Sequence, residues 1–231
     1  MEKVIAIIAA MEEEMQEIKN IMEKIEEKSI WGLTIYEGKI NGLKSILVQS
    51  GVGKVNAART TQIIIDKYEV ECVIDVGSAG GLKEGLEIGD VAIGDNLVQH
   101  DFDITAFGHE KGYITDLGKM FKSDKELIAK AEQAIKPICK NENINVIRGT
   151  IASGDIFCTS VNMKDKIKDK FDAICVEMEG AAIAQVCTLD NVPFIVIRSI
   201  SDVPNGKNNI EFDEFLKHAS KRCAQFIKQM I

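Results

Sequence analysis

Proline is scarce in this chain of 231 residues, with only Pro137, Pro193 and Pro204. No Pro/Ser-rich stretch suggests a linker between domains, and no internal repeat suggests a solenoid or propeller. A basic face is also missing. The 28 Lys and Arg stand against 36 Asp and Glu, a formal charge of −8, whereas nucleic-acid binders cluster positive charge. Lysines do gather between Lys164 and Lys170, but Asp165 and Asp169 interleave with them, the pattern of a solvated helix surface. No apolar run reaches the ~18 residues of a membrane span. The run Val4–Ala10 passes straight into Met11-Glu12-Glu13-Glu14, which fits a strand better than a signal segment, so the chain is expected in the cytoplasm. The three histidines, His100, His109 and His218, share no ligand spacing, and none of the six cysteines forms a C-x-x-C pair. Cys72, Cys175 and Cys187 sit among apolar neighbours like small core residues. Neither a disulfide framework nor a metal site is expected.

What is present is ordinary globular material, 45% apolar and 28% charged, enough for a sizeable core and read as a single domain over 1–231. Val4–Ala9 is a continuous apolar run, as in a strand covered on both faces. Met15, Ile18, Met22 and Ile25 recur at helical spacing. Asn41-Gly42 separates two β-like runs, Leu33–Glu37 and Ser45–Gln49, and predicts a hairpin. Helices are predicted over Lys54–Tyr68, Asp124–Cys139 (ending near Pro137), Gly180–Leu189 and Phe212–Met230. Strands are predicted over Cys72–Val76, Asp90–Val98, Val146–Ala152, Ala173–Val176 and Phe194–Ile200. Alternating strands and helices imply an α/β fold with a largely parallel or mixed sheet and helices on both faces.

Such sheets bind ligands at the carboxyl ends of their strands. The residues there are Met11–Glu14, Ser50-Gly51-Val52-Gly53, Gly77-Ser78-Ala79-Gly80-Gly81, Ser153-Gly154-Asp155, Glu177-Met178-Glu179 and Ser201-Asp202. Each of the six carries small flexible residues or carboxylates. Taken singly, each has a plain structural reading. The glycines suit strand-to-loop turns and do not match G-x-G-x-x-G. Glu12–Glu14 suit a helix N-terminus, Glu177 and Glu179 suit a first helical turn, and Asp202 suits an Asx-type turn before Pro204 and Gly206. Their convergence on one rim is what suggests a site.

In order along the chain, Ala10-Met11-Glu12-Glu13-Glu14, Ser50–Ala58, Gly77–Gly81, Asp103–Gly108, Ser153-Gly154-Asp155, Val176–Glu179 and Arg198–Asp202 closely resemble the 5′-methylthioadenosine/S-adenosylhomocysteine nucleosidases of the nucleoside phosphorylase superfamily. The resemblance runs from about Ile5 to about Phe215. It implies a three-layer α/β/α domain around a mixed sheet curling toward a barrel, a homodimer, no metal or organic cofactor, and hydrolysis of an adenine–ribose bond. Related substrates such as 5′-deoxyadenosine would use the same residues.

Carried over residue by residue, Asp202 is the expected general acid for adenine N7, and Glu14 the expected base for water. Two carboxyl groups in opposite protonation roles can perform such a glycosidic cleavage. Glu179 is expected to grip the ribose hydroxyls and stabilise a cationic sugar. Ser78 and Gly80 approach the nucleoside, with Glu177 on the same binding segment as Met178 and Glu179. Phe157 matches an aromatic that stacks on adenine, its alternative being a core Phe. Cys158 stands where an aliphatic residue was expected and where the backbone reads the adenine edge. Met11, Met178 and Phe212 match an apolar pocket for the 5′-alkylthio group. Ile104, Phe107 and His109 match a segment donated by a neighbouring subunit. The runner-up activities are cleavage of aminofutalosine and phosphorolysis, the latter disfavoured by carboxylates and the absence of Arg after the first strand. A non-catalytic nucleoside sensor would have no need of both an acid and a base. The Gly and Asn content of Pro204–Asn209 permits mobility there.

Overall fold

The run Val4–Ala9 folds as strand β1, and every one of its residues is buried. The computed structural model describes residues 2–203 and 212–231. Helix α1 (Glu12–Ile21) follows, then the strands β2 (Glu23–Ile30), β3 (Leu33–Ile40) and β4 (Leu43–Gln49). The helical spacing predicted through Ile25 therefore stops short. Met22 ends α1 in extended geometry, and the next residues pair antiparallel with β3. β2 is an exposed edge strand rich in Glu and Lys. That composition discourages edge-to-edge pairing but reads locally as a helix surface. The Asn41-Gly42 hairpin forms as predicted between β3 and β4. Both turn residues have positive φ, 50° and 83°, as a two-residue primed turn demands.

Helix α2 (Lys54–Lys67) leads to β5 (Val70–Gly81). The glycine segment expected as a loop is thus the end of a strand. It is held there by neighbours on both edges. β10 (Phe194–Asp202) pairs parallel with it from Gly77 to Gly80, and β9 (Ala173–Glu177) pairs antiparallel at Gly80 and Gly81. β6 (Val91–Gln99), the short β7 (Phe121–Lys122) and β8 (Val146–Ser153) complete the sheet. Its order is β10-β6-β8-β9-β5-β1-β4-β3-β2, and β10 also pairs with β5. The strands β5, β9, β8, β6 and β10 therefore close on themselves as a barrel, while β1 to β4 extend it as an open sheet.

Helices cover both faces. α2 and α5 (Gly180–Leu189) contribute Ala57, Ile63, Ile64, Ala181 and Ile183 to one apolar cluster. On the other face α1, α3 (Lys125–Asn141) and α6 (Phe212–Met230) contribute Met15, Ile18, Leu127, Ile135, Phe226 and Ile227. The three-layer α/β/α arrangement follows. Pro137 does not end α3, which continues to Asn141. The buried stripe from Leu127 through Ile135 to Cys139 keeps the helix packed beyond the hydrogen bond that proline removes. Helix α4 (Val161–Phe171) packs on β9 beside the open end of the barrel.

Candidate active site

A cavity of about 530 Å³ opens at the carboxyl ends of β1, β5, β9 and β10. Met11, Glu14, Ser78 and Gly80 line it, as do Phe157, Cys158, Glu177, Met178, Glu179 and Asp202. The structure thus brings together the predicted acid, base and ribose-binding residues. The side chain of Phe212 and the segment 204–211 lie outside the described residues.

Glu14 is buried on the first turn of α1. Oε1 accepts hydrogen bonds from the Ser78 N–H (2.9 Å) and hydroxyl (3.1 Å). Oε2 accepts from the Ala10 and Met11 N–H groups, both at 3.2 Å. Burial pushes the carboxyl above its ordinary value, while Arg198 and the Ser78 and Met11 hydrogen bonds pull back. A group so placed gains basicity without losing its fixed direction.

Asp202 ends β10 across the glycine segment from Glu14. Ser201 Oγ donates to Oδ1 (2.9 Å) and Lys164 Nζ donates to Oδ2. A Cβ added at Gly80 would lie 3.2 Å from Asp202 Oδ1, and one added at Gly77 would lie 3.0 Å from Glu14 Oε1 and 3.1 Å from Arg198 Nη1. Close approach of both acids to β5 accounts for glycine at these positions. Ser78 touches Glu14 and Gly80 faces Asp202, two residues or ~7 Å apart along one strand.

Arg198 is fully buried and donates from Nη2 to Asp75 Oδ2 (2.5 Å) and Glu177 Oε2 (2.6 Å). Its Nε and Nη1 have no hydrogen-bond partner among the described residues. Glu177 also accepts from the Glu179 and Gly180 N–H groups, at 3.0 and 2.8 Å, and from Ser153 Oγ. Although it lines the cavity, its contacts cap α5 and anchor the arginine. Burial opposes its charge, but Arg198 and these donors outweigh that and hold it below the ordinary carboxylate range. Asp75 is pushed up to about 7 by burial despite Arg198. Burial and the neighbouring Glu177 charge raise Glu179 to about 8. Its Oε1 accepts from the Gly53 N–H at 2.7 Å, placing it at the opening of α2. One guanidinium serves several carboxyl groups here, and a low-dielectric site cannot hold all of them ionised.

Two of these residues escaped the sequence reading. Arg198 entered it only as the first residue of the Arg198–Asp202 motif. Lys164 was assigned to a solvated surface, yet its side chain is only 6% exposed and meets Asp202. Its neighbours Lys166, Lys168 and Lys170 do face outward, so the charge run is solvated except at the residue nearest the site. Ile104, Phe107 and His109 do not line this chain's cavity. Phe107 is 82% exposed and His109 stacks on Tyr113 at 4.5 Å. Neither ring is buried by its own fold.

Residues 4–231 match the phosphorylase superfamily. A 5′-methylthioadenosine/S-adenosylhomocysteine nucleosidase of Bacillus cytotoxicus is 43% identical over 228 residues, covering 98% of this chain and 97% of the relative. The chain belongs to the 5′-methylthioadenosine/S-adenosylhomocysteine nucleosidase family. The crystal structure of such a nucleosidase from Neisseria meningitidis, in complex with methylthio-immucillin-A, superposes with a TM-score of 0.91. It is 41% identical and the match covers 99% of this chain and 98% of that one. A futalosine hydrolase of Helicobacter pylori gives a TM-score of 0.89 at 35% identity, over 99% and 97% of the two chains. The fold therefore serves hydrolases named for different substrates, and the family assignment rests on the identity.

Proposed function

We propose that this chain hydrolyses the adenine–ribose bond of 5′-methylthioadenosine and S-adenosylhomocysteine. The observation that carries the reading is the pair Glu14 and Asp202, lining one cavity and approaching β5 two residues apart. An acid and a base held at separate points of one cavity wall can serve the two sides of a glycosidic bond. As the C1′–N9 bond breaks, Asp202 gives a proton to N7, so that adenine leaves neutral. Water attacks C1′ and gives a proton to Glu14, and exchange with solvent restores both carboxyl groups. Burial and the Glu177 charge favour the protonated form of Glu179, and Glu179 binds ribose hydroxyls. A cationic sugar favours its ionised form, which adds stabilisation as charge develops. Ser78 orients Glu14, and the unpartnered Nη1 of Arg198 lies beside it.

Met11 and Met178 line the cavity with adaptable apolar side chains, which suit an alkylthio tail better than the polar tail of aminofutalosine. Phosphorolysis would need a free cation at the attacking side. Arg59 is committed to the Trp31 carbonyl (2.5 Å), and Arg198 is held between two carboxylates beside Glu14. A phosphate dianion at the attacking side would stand against the Glu14 carboxylate. The chain is further proposed to work as one domain and as a homodimer. The exposed Phe107, Val55, Val52 and Phe157 would be covered there, with Ile104, Phe107 and His109 reaching the partner's pocket. Six free cysteines suit the reducing cytoplasm. The test is adenine release from methylthioadenosine with and without phosphate. Free 5-methylthioribose at a phosphate-independent rate is expected, and the 1-phosphate sugar would overturn the hydrolytic reading.

A further inference from the structure

Lys164 is the buried lysine among the described residues, and nothing in the reaction above uses it. It is the fourth residue of α4, where the helix dipole disfavours positive charge. What holds its ammonium there is the cavity: Nζ donates to Asp202 Oδ2 and lies 3.4 Å from where a Gly80 Cβ would stand. Both residues line the pocket. The leaving-base end therefore presents a carboxyl group with a cationic donor beside it.

A purine offers two kinds of edge to such a pair. Adenine places the N7 acceptor beside the N6 amino donor, whereas a 6-oxopurine places N7 beside O6, both acceptors. A protonated carboxyl alone matches adenine, since one oxygen donates to N7 and the other accepts from the amino group. It leaves O6 facing an acceptor. The Asp202–Lys164 pair adds the missing donor without removing the acceptor. The geometry points to a second activity at this site: hydrolysis of 6-oxopurine nucleosides, with Lys164 donating to O6 while Asp202 protonates N7. The inference rests on the placement of Asp202 at N7 given above. The bond changes are those of the adenine reaction: C1′–N9 breaks, C1′ gains the water oxygen, Glu14 takes one water proton and N7 takes that of Asp202. Hypoxanthine leaves neutral.

The experiment compares kcat/KM for 5′-methylthioadenosine and 5′-methylthioinosine in the wild-type chain, Lys164→Met and Lys164→Arg. The wild type is expected to release both bases. The inosine-to-adenosine ratio is expected to fall ~10- to 100-fold in Lys164→Met, the range one base-edge hydrogen-bond pattern discriminates, and to be largely kept in Lys164→Arg. Measuring the ratio within each variant separates specificity from a general loss of fold. A further arm needs no variant: hypoxanthine is expected to compete with methylthioadenosine in the wild type. Release of adenine but no hypoxanthine, absence of competition, or an unchanged ratio in Lys164→Met overturns the inference. Release of neither base overturns the hydrolase reading, and this inference with it.

Discussion

The two ends of the cavity are built differently. Glu14 is buried, and four hydrogen bonds from Ala10, Met11 and Ser78 fix both its oxygens. Asp202 has a side chain 29% exposed and is held by Ser201 and Lys164, just before the segment outside the described residues. Glu14 is preorganised by backbone and strand. Asp202 is held by side chains that a bound molecule can displace or recruit. On the proposed assignment the water end is rigid because water varies little from one substrate to the next, and the leaving-base end is the one left adjustable.

The largest effects should come from removing either proton-handling group. Asp202→Asn is expected to lower kcat by ~10²- to 10⁴-fold, the usual worth of a general acid, while an unreactive nucleoside analogue still binds. Glu14→Gln should cost a similar factor, since the amide keeps the shape but cannot take the water proton. Steady-state kinetics with isothermal titration of the analogue check both. A near-wild-type rate in Asp202→Asn would remove it from the acid role, and one in Glu14→Gln would pass the base role to Glu13. The two variants part company on a riboside whose leaving group needs no proton, such as a 4-nitrophenyl riboside. There Glu14→Gln should remain slow and Asp202→Asn should recover most of its rate. Equal losses would mean that the two ends do not divide the chemistry.

A smaller effect probes how the rigid end is fixed. Ser78→Ala removes one of the two donors to Glu14 Oε1 and leaves the Ser78 N–H in place. One hydrogen bond to a charged group is worth ~1.5–3 kcal/mol, so kcat should fall by roughly 10- to 150-fold, with KM little changed. A larger change in KM than in kcat would show Ser78 serving the nucleoside rather than the base.

The same contrast explains what could be read from the sequence. β1, the Asn41-Gly42 turn and α5 were legible because local pattern and final environment agree: an apolar run, a primed turn and an apolar helix each name their own surroundings. The meeting of Glu14, Glu179 and Asp202 in one cavity was legible through ordered motifs at strand ends. β2 was not, because an edge strand protected by Glu and Lys looks locally like a helix surface. Gly77–Gly81 looks locally like a loop, because the ladders that make it a strand come from residues more than ninety positions away in β9 and β10. Lys164 was lost for the same reason. Burial of one lysine in a run of four is decided by Asp202, which belongs to another element, and no spacing rule carries that.

The mildest test concerns Glu179, which lines the same cavity. Burial and Glu177 raise its carboxyl from 4.5 to about 8 in the folded chain. A carboxyl raised on folding binds its proton more tightly in the folded state, so its contribution is fully present below pH 4.5. Stability is then lost as pH rises toward 8, where the unfolded chain has already released the proton. Glu179→Gln has no proton to lose and keeps an oxygen for the Gly53 N–H. Denaturant midpoints of the ligand-free chain, converted to free energies, should therefore show the wild type losing stability relative to Glu179→Gln between pH 4.5 and 8, by on the order of 1 kcal/mol or more. Glu177 titrates in the same cluster, but its carboxyl is held low by Arg198, and its contribution changes in the opposite sense and mostly below that window. Parallel curves would mean that Glu179 is already ionised in the empty pocket. The ribose would then meet a carboxylate from the outset, and the gain assigned to the developing sugar cation would reside in substrate binding instead.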